Sequence, residues 1–406
     1  MNYISSNKFS DVSVAIRTQL PLERSTITAY NILVYMLKTK TELFKTKQAL
    51  ISNLNEAYGM KLACGLSSYG ADLILTTRIQ YIRSDWIEEE DYIHKVKEIT
   101  DQVLFHSVLD EASFEEAKYL YRNKLTRILD DPDGLAIYTC LTTLNTNHEI
   151  SIPIQGSLDD LDQLTLQDIQ NVYSAYLKAD KHIFVCGCLD EEMKTYLERM
   201  DSSSKLNSTR SLLPILDYQE EIIEKNISQS SIALVYATST DILSEDYYKM
   251  FVMNSLLGQS PTSLLFEEVR EKHSLCYSIS SYLIQFDGAL IITLGTNKEN
   301  IEKAIDLINQ QIQRIIDLDF DPELLNTAKK DCIDSLIVAQ DYPFSQIDQR
   351  FMDVLLSRDT DRDKKIKNIQ KVSLEDVSAA AKKLKKISSV IVKEVELYEV
   401  QYEYIE

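Results

Sequence analysis

Arg270 and Tyr277 are the residues of this chain best suited by type and spacing to do chemistry. They lie within Ser260–Tyr282, where Ser260-Pro261 marks a helix start: a serine hydroxyl caps free backbone N–H groups, and proline at the first helical position forfeits no hydrogen bond. Leu265 and Val269 then share one face, with Glu267, Glu268, Glu271 and Lys272 on the other. From Leu275 the run Leu-Cys-Tyr-Ser-Ile-Ser alternates as a strand does. A helix-to-strand turn can place an arginine and a phenol in one cleft, where they would grip a carbonyl oxygen or a carboxylate. Taken without context, the plainer reading of the pair is a solvated helix charge and a packed core ring.

The elements that must position them come from a chain of 406 residues, long enough for two or more cores. Its hydrophobic share of 44% and charged share of 26% are those of a soluble globular protein. A formal net charge of −20 repels the phosphate backbone of nucleic acids and anionic lipid, which weighs against both as partners. The N-terminus lacks the basic start and apolar stretch of a signal peptide, and no apolar run is long enough to span a membrane. Six cysteines are scattered except for Cys186-Gly187-Cys188, which reads as two buried thiols on one strand face rather than a metal knuckle. A reducing, cytoplasmic location is expected.

In chain order, Phe9 to Leu20 alternates as an opening strand with Val12, Val14 and Ile16 on one face. Thr26 to Leu37 reads as a helix apolar on most sides, and therefore buried. A second helix over Leu43 to Tyr58, two strands within Lys61 to Ile82, and long helices over Asp85 to Phe105 and Ser113 to Leu129 follow. Asp130-Asp131-Pro132-Asp133-Gly134 is a strong stop. Thr165-Leu166-Gln167-Asp168 is a capping pattern ahead of a helix and a strand, and it returns as Ser373-Leu374-Glu375-Asp376. Ser67-Ser68-Tyr69 returns as Ser280-Ser281-Tyr282. These recurrences predict two similar α+β halves, residues 1–200 and 215–406, joined by a polar linker over 201–214.

With those residues and repeats in hand, the chain resembles the insulinase-like (pitrilysin and mitochondrial processing peptidase-like) zinc metallopeptidases over nearly its whole length. The resemblance rests on the opening strand, the buried helix, the duplicated halves, and Leu265-Phe266-Glu267-Glu268-Val269-Arg270-Glu271-Lys272 with Tyr277. It implies two homologous halves, each an antiparallel-rich sheet with helices packed on it, arranged as a clamshell around a peptide-binding chamber. Active subunits of such peptidases carry His-x-x-Glu-His in the buried helix, two zinc ligands and a general base. Here Asn31 and Tyr35 stand at the ligand positions and Val34 at the base. Lys124 falls where a third ligand is expected and Ala117 where a supporting acid is expected. An amide, a phenol and an ammonium do not make a zinc site, and valine takes no proton from water. His94, His106, His148, His182 and His273 show no ligand spacing that would replace it.

Arg270 and Tyr277, by contrast, match the pair that the family uses to hold the substrate backbone and support the tetrahedral intermediate. The resemblance therefore implies a non-catalytic subunit of a heterodimeric zinc endopeptidase. It would bind no metal or cofactor itself and would supply Arg270 and Tyr277 to a zinc-bearing homologous partner acting on peptides. The alternative is a non-enzymatic scaffold or peptide-binding protein of the same fold.

Overall fold

Alternating β-branched residues build the first sheet of the computed structural model, which describes residues 1–358 and 361–395. Its strands are β1 (Asn2–Ser5), β2 (Asp11–Pro21), β3 (Lys61–Tyr69), β4 (Asp72–Ile82) and β5 (Lys181–Gly187), in the spatial order β1-β5-β2-β4-β3. The second sheet repeats that order with β6 (Gln219–Lys225), β7 (Ser230–Ala237), β8 (Cys276–Ile284), β9 (Ala289–Thr296) and β10 (Lys385–Glu394), arranged β6-β10-β7-β9-β8. In each sheet the first strand pairs in parallel with the last, and the remaining pairs are antiparallel. The α+β class and the duplication read from the sequence are both present.

On one face of the first sheet, Val12, Val14, Ile16, Ile79, Tyr81, Ile183 and Val185 pack against helices Tyr92–Phe105 and Glu191–Met200. Farther along the same strands, Leu20, Leu73 and Leu75 meet helices Arg24–Met36, Glu111–Asp130 and Leu166–Lys178. Arg24–Met36 is buried on nearly every side, as its composition requires. Two other predicted helices come out shorter. Lys47–Glu56 starts only after Thr46, whose Oγ1 accepts a hydrogen bond from the Ala49 N–H, and the expected start at Asp85 gives way to a short 3₁₀ turn before Tyr92–Phe105. Of the Cys186-Gly187-Cys188 pair, Cys186 is buried in β5 while Cys188 lies beyond its end and is half-buried.

The chain packs as two compact units that are not contiguous in sequence. One comprises Met1–Thr126, Ile152–Arg210 and Ser335–Arg362, and the other Arg127–Ser151, Ser211–Asp334 and the chain from Asp363. Within the first unit, helix Pro343–Leu355 lies against β2 and β5 with Ile347 and Phe351 fully buried. The Phe351 ring meets Phe184 and Tyr69 edge-on, at centroid separations of 5.6 and 5.4 Å. Within the second unit, helix Pro132–Thr142 lies on β7 and β10 with Ala136 and Cys140 fully buried. The run at Asp130–Gly134 thus ends one helix and begins the next, because Asp131 caps the Gly134 N–H and Pro132 occupies the first turn.

The far end of that inserted segment is fastened by His148. Its Nδ1 accepts the Ile150 N–H at 3.2 Å, so the ring proton sits on Nε2, which donates to the Ser211 carbonyl at 2.9 Å. Asp287 Oδ1 and Glu149 Oε2 each stand 3.8 Å from Nδ1, and Asp287 Oδ1 has no hydrogen-bond partner. Burial pushes the Asp287 carboxyl up to about 6. A carboxyl raised on folding favours the folded state when protonated. That contribution is full below the unfolded value near ~4 and lost as pH rises through about 6. Asp287→Asn is therefore expected to be more stable than the parent at pH 7.5, by up to about 3 kcal/mol. The advantage should shrink at pH 5, and urea unfolding at the two pH values checks this; a gap of equal size at both would refute it.

Candidate functional site

The first half brings its matched positions together, with Tyr35 and Ala117 bordering a cavity of about 310 Å³. Asn31 is buried, and its Nδ2 donates to the carbonyls of Ile27 at 3.0 Å and Ile154 at 2.8 Å, so both amide hydrogens are committed to backbone. Val34 is buried against the same core. Tyr35 packs edge-on against Tyr121 of helix Glu111–Asp130, with centroids 5.5 Å apart. Tyr121 in turn donates its hydroxyl to the Gln155 carbonyl at 2.7 Å, and burial drives its phenol well above the usual range. The Lys124 ammonium stands 5.2 Å from the Tyr121 ring centroid, and Ala117 is buried one face-turn earlier.

These residues do not fit a catalytic metal. Zinc needs three nitrogen, sulfur or carboxylate donors and an open position, whereas an aromatic pair and an ammonium occupy this place. No group of three or more His, Cys, Asp or Glu side chains suited to a metal exists among the described residues. The chain is expected to leave dialysis against zinc with far less than one equivalent bound by elemental analysis; a stoichiometric complex would disprove the reading.

The second half holds its two residues differently. Helix formation starts at Leu264, not Ser260: the Ser260–Thr262 segment is a turn closing the preceding π-helical stretch Ser255–Gln259, and the Ser263 hydroxyl accepts the Phe266 N–H instead. Phe266–Lys272 continues as a π-helix, a widened turn that occurs often at functional sites. Leu265 and Val269 are fully buried beneath it. Glu268 ties the turn down, with Lys272 Nζ at 3.1 Å, Arg314 Nη1 at 3.6 Å and His273 Nε2 at 3.6 Å. Sequence reading placed Glu268 on the solvated face and missed this positioning role, which depends on Arg314 from helix Ile301–Asp317.

Arg270 is exposed, with its guanidinium 4.5 Å from the Phe266 ring centroid and Nε 3.6 Å from the Glu271 carboxylate. Its charge reaches the start of β8, where it pulls the Cys276 thiol down against a burial effect that leaves the thiol at about 11. Tyr277 is the next residue and is 82% exposed, so it is not a core ring. It is the extra residue of a β-bulge: Cys276 pairs with Thr296 and Ser278 with the adjacent Gly295, leaving Tyr277 without an opposite number. A bulge re-aims the side chain it frees, and β8 is the outermost strand of its sheet. Arg270 and Tyr277 therefore flank the beginning of an edge strand and present hydrogen-bond donors to solvent.

Two like α+β units carry residues unsuited to a metal at the matched positions of the first and an exposed arginine and tyrosine in the second. The comparisons with known proteins agree. Residues 163–331 match the family described as the peptidase M16 inactive domain, and the insulinase-like resemblance is borne out. The chain is 22% identical to the Bacillus subtilis protein named probable inactive metalloprotease YmfF, over 94% of this chain and 92% of that one. Its fold is similar to a conserved protein from Enterococcus faecalis, with a TM-score of 0.86 at 19% identity over 97% of this chain and 96% of that one. It is also similar to a peptidase M16 inactive domain from Pseudomonas fluorescens, with a TM-score of 0.81 at 16% identity over 97% and 95% of the two chains.

Proposed function

We propose that this chain is the non-catalytic subunit of a heterodimeric zinc endopeptidase of the cytoplasm, pairing with a zinc-bearing homologue and contributing Arg270 and Tyr277 to the bound peptide. The observation that carries this reading is the contrast between the halves. The first-half positions carry Asn31, Val34, Tyr35 and Lys124, groups that neither hold zinc nor activate water, yet Tyr277 is held 82% exposed by a bulge beside Arg270. A buried ring would be the stable use of a tyrosine in a strand, and an exposed one has no packing reason to stand there. At the start of an edge strand, the phenol and guanidinium can donate to the backbone carbonyl of an extended peptide, while the attacking water and metal belong to the partner.

Co-expression with a zinc-bearing homologue from the same organism tests the reading. A stable complex that cleaves peptides, when neither chain alone does so, is the expected result. A second reading, a scaffold that binds without assisting cleavage, is favoured by one observation: Arg270 already engages Glu271 and Phe266. Recovery of the chain from cells in a complex without any peptidase homologue would support that alternative.

A further inference from the structure

Gly65 lies in the middle of β3, and a Cβ built on it would meet nothing within 4 Å. Its φ is outside the left-handed region, and no other part of this chain approaches closely enough to demand a glycine. In a strand interior such a residue gives up packing, and a common reason is that something else comes close. Above it is a cavity of about 290 Å³, bordered by Ala63, Gly65 and Ser67 of β3, Thr76 and Arg78 of β4, and Arg17 of β2.

The border carries two guanidinium groups against one carboxylate, a balance of 2 − 1 = +1 in a chain whose net charge is −20. Arg17 is 2% exposed, ion-paired with Asp348, and its guanidinium lies 3.8 Å from the Phe351 ring centroid. Its Nε has no hydrogen-bond partner. Arg78 donates from Nη2 to the two Asp348 oxygens at 3.2 and 3.0 Å, and its guanidinium stands 5.2 Å from the Phe344 ring centroid. Among the described residues its Nε and Nη1 make no hydrogen bond, and the side chain is 43% exposed. Asp348 and Phe344 thus hold the Arg78 fork in place with donors to spare, beside the Ser67 and Thr76 hydroxyls.

We infer that this cavity binds a single carboxylate, received by Arg78 over a floor kept open by Gly65, with Arg17 and Asp348 as positioning residues. An oriented guanidinium with unused N–H donors is suited to receive a carboxylate through a charge-assisted hydrogen bond. The carboxylate has two possible sources. It can belong to a free small molecule, or to an acidic side chain of an extended peptide. β3 is the outermost strand of its sheet, so a strand added to it would set alternate side chains over the face of Ala63, Gly65 and Ser67. None of these residues belongs to the Arg270 and Tyr277 site.

The test titrates the full chain by calorimetry with glutaramate, and with a short peptide of alternating Thr and Val carrying one central glutamate beside its glutamine counterpart. The glutamate peptide is expected to bind roughly tenfold tighter than the glutamine peptide. Arg78→Gln and Gly65→Val should each abolish that preference, the latter by filling open space while thermal unfolding shows the fold retained. Glutaramate binding without peptide preference, lost in both variants, assigns the site to small molecules. No glutaramate binding together with equal affinity for the two peptides overturns the inference, as does carboxylate binding that survives both substitutions. Arg270→Ala should leave carboxylate binding intact, so failure here is separate from failure of the peptidase-partner reading.

Discussion

Tyr277→Phe in the reconstituted heterodimer is expected to lower kcat for peptide cleavage by about 10²-fold, the scale of losing one donor to a developing oxyanion. The substitution removes only a hydroxyl from a ring that is 82% exposed, so the fold and its stability should be unchanged, and thermal unfolding of the purified subunit checks this. Arg270→Ala removes a charge that can grip the substrate before and during reaction, and a rise in KM with a fall in kcat is expected together. The split between the two parameters has meaning. A donor used only at the transition state lowers kcat and kcat/KM alike, while a donor used equally in the ground state raises KM alone. Unchanged kcat/KM in both variants would remove Arg270 and Tyr277 from the chemistry and leave the scaffold reading. Zinc content of the complex should not respond to either change, because neither residue touches the partner's metal in this scheme.

What the sequence made legible was whatever is encoded locally. Both capping patterns form as capping boxes, Thr165 with Asp168 and Ser373 with Asp376, because each needs only residues three apart. The buried helix Arg24–Met36 and the alternating strands follow from period alone. Helices Pro132–Thr142 and Pro343–Leu355 were not read. Each begins with a proline, and the one after Asp130-Asp131 looked only like a stop, since a proline that ends one helix equally well starts another. Their packing partners lie far away in sequence, on sheets built mainly by the other half, and no local pattern reports that. Arg17 shows the same limit. Nothing in the residues beside it marks Arg17 as buried, yet Phe351 and Asp348, more than 300 positions away, cover it to 2% exposure.

At the candidate site the division falls along the same line. Residue identity alone argues against a catalytic zinc at Asn31, Val34, Tyr35 and Lys124, because Val34 and an ammonium offer no donor and an amide and a phenol replace the usual imidazoles. The side-chain contacts made there, such as the Tyr35–Tyr121 pair, required the structure. The exposure of Tyr277 was not readable either. Leu275-Cys276-Tyr277-Ser278 is compatible with a regular strand, and a bulge is fixed by the register of the neighbouring strand β9. The π-helical turn under Arg270 likewise depends on packing of Val269 and the ties to Glu268.

Phe351→Ala is expected to destabilise the first unit by about 3–5 kcal/mol, the cost of emptying a large buried aromatic position. The ring is fully buried, contacts Phe184 and Tyr69, and lies over the Arg17 guanidinium, so the loss has two parts. A cavity opens against the sheet, and the buried charge of Arg17 loses an aromatic face that no small side chain replaces. Phe351→Leu keeps most of the apolar volume and should cost less than half as much, which separates packing from a general intolerance of change. Hydrogen exchange should accelerate in β2 and β5 while the second sheet is affected less; a loss under about 1 kcal/mol would show that the helix is dispensable to the sheet. The same logic makes a fragment ending at Arg210 a poor folding unit. It would lack Phe351 over its own sheet and would expose Ala136 and Cys140, which are fully buried on β7 and β10 in the whole chain. Each sheet thus needs a helix encoded by the opposite half, so the two halves of the sequence cannot be separated between Arg210 and Ser211 without leaving both cores uncovered.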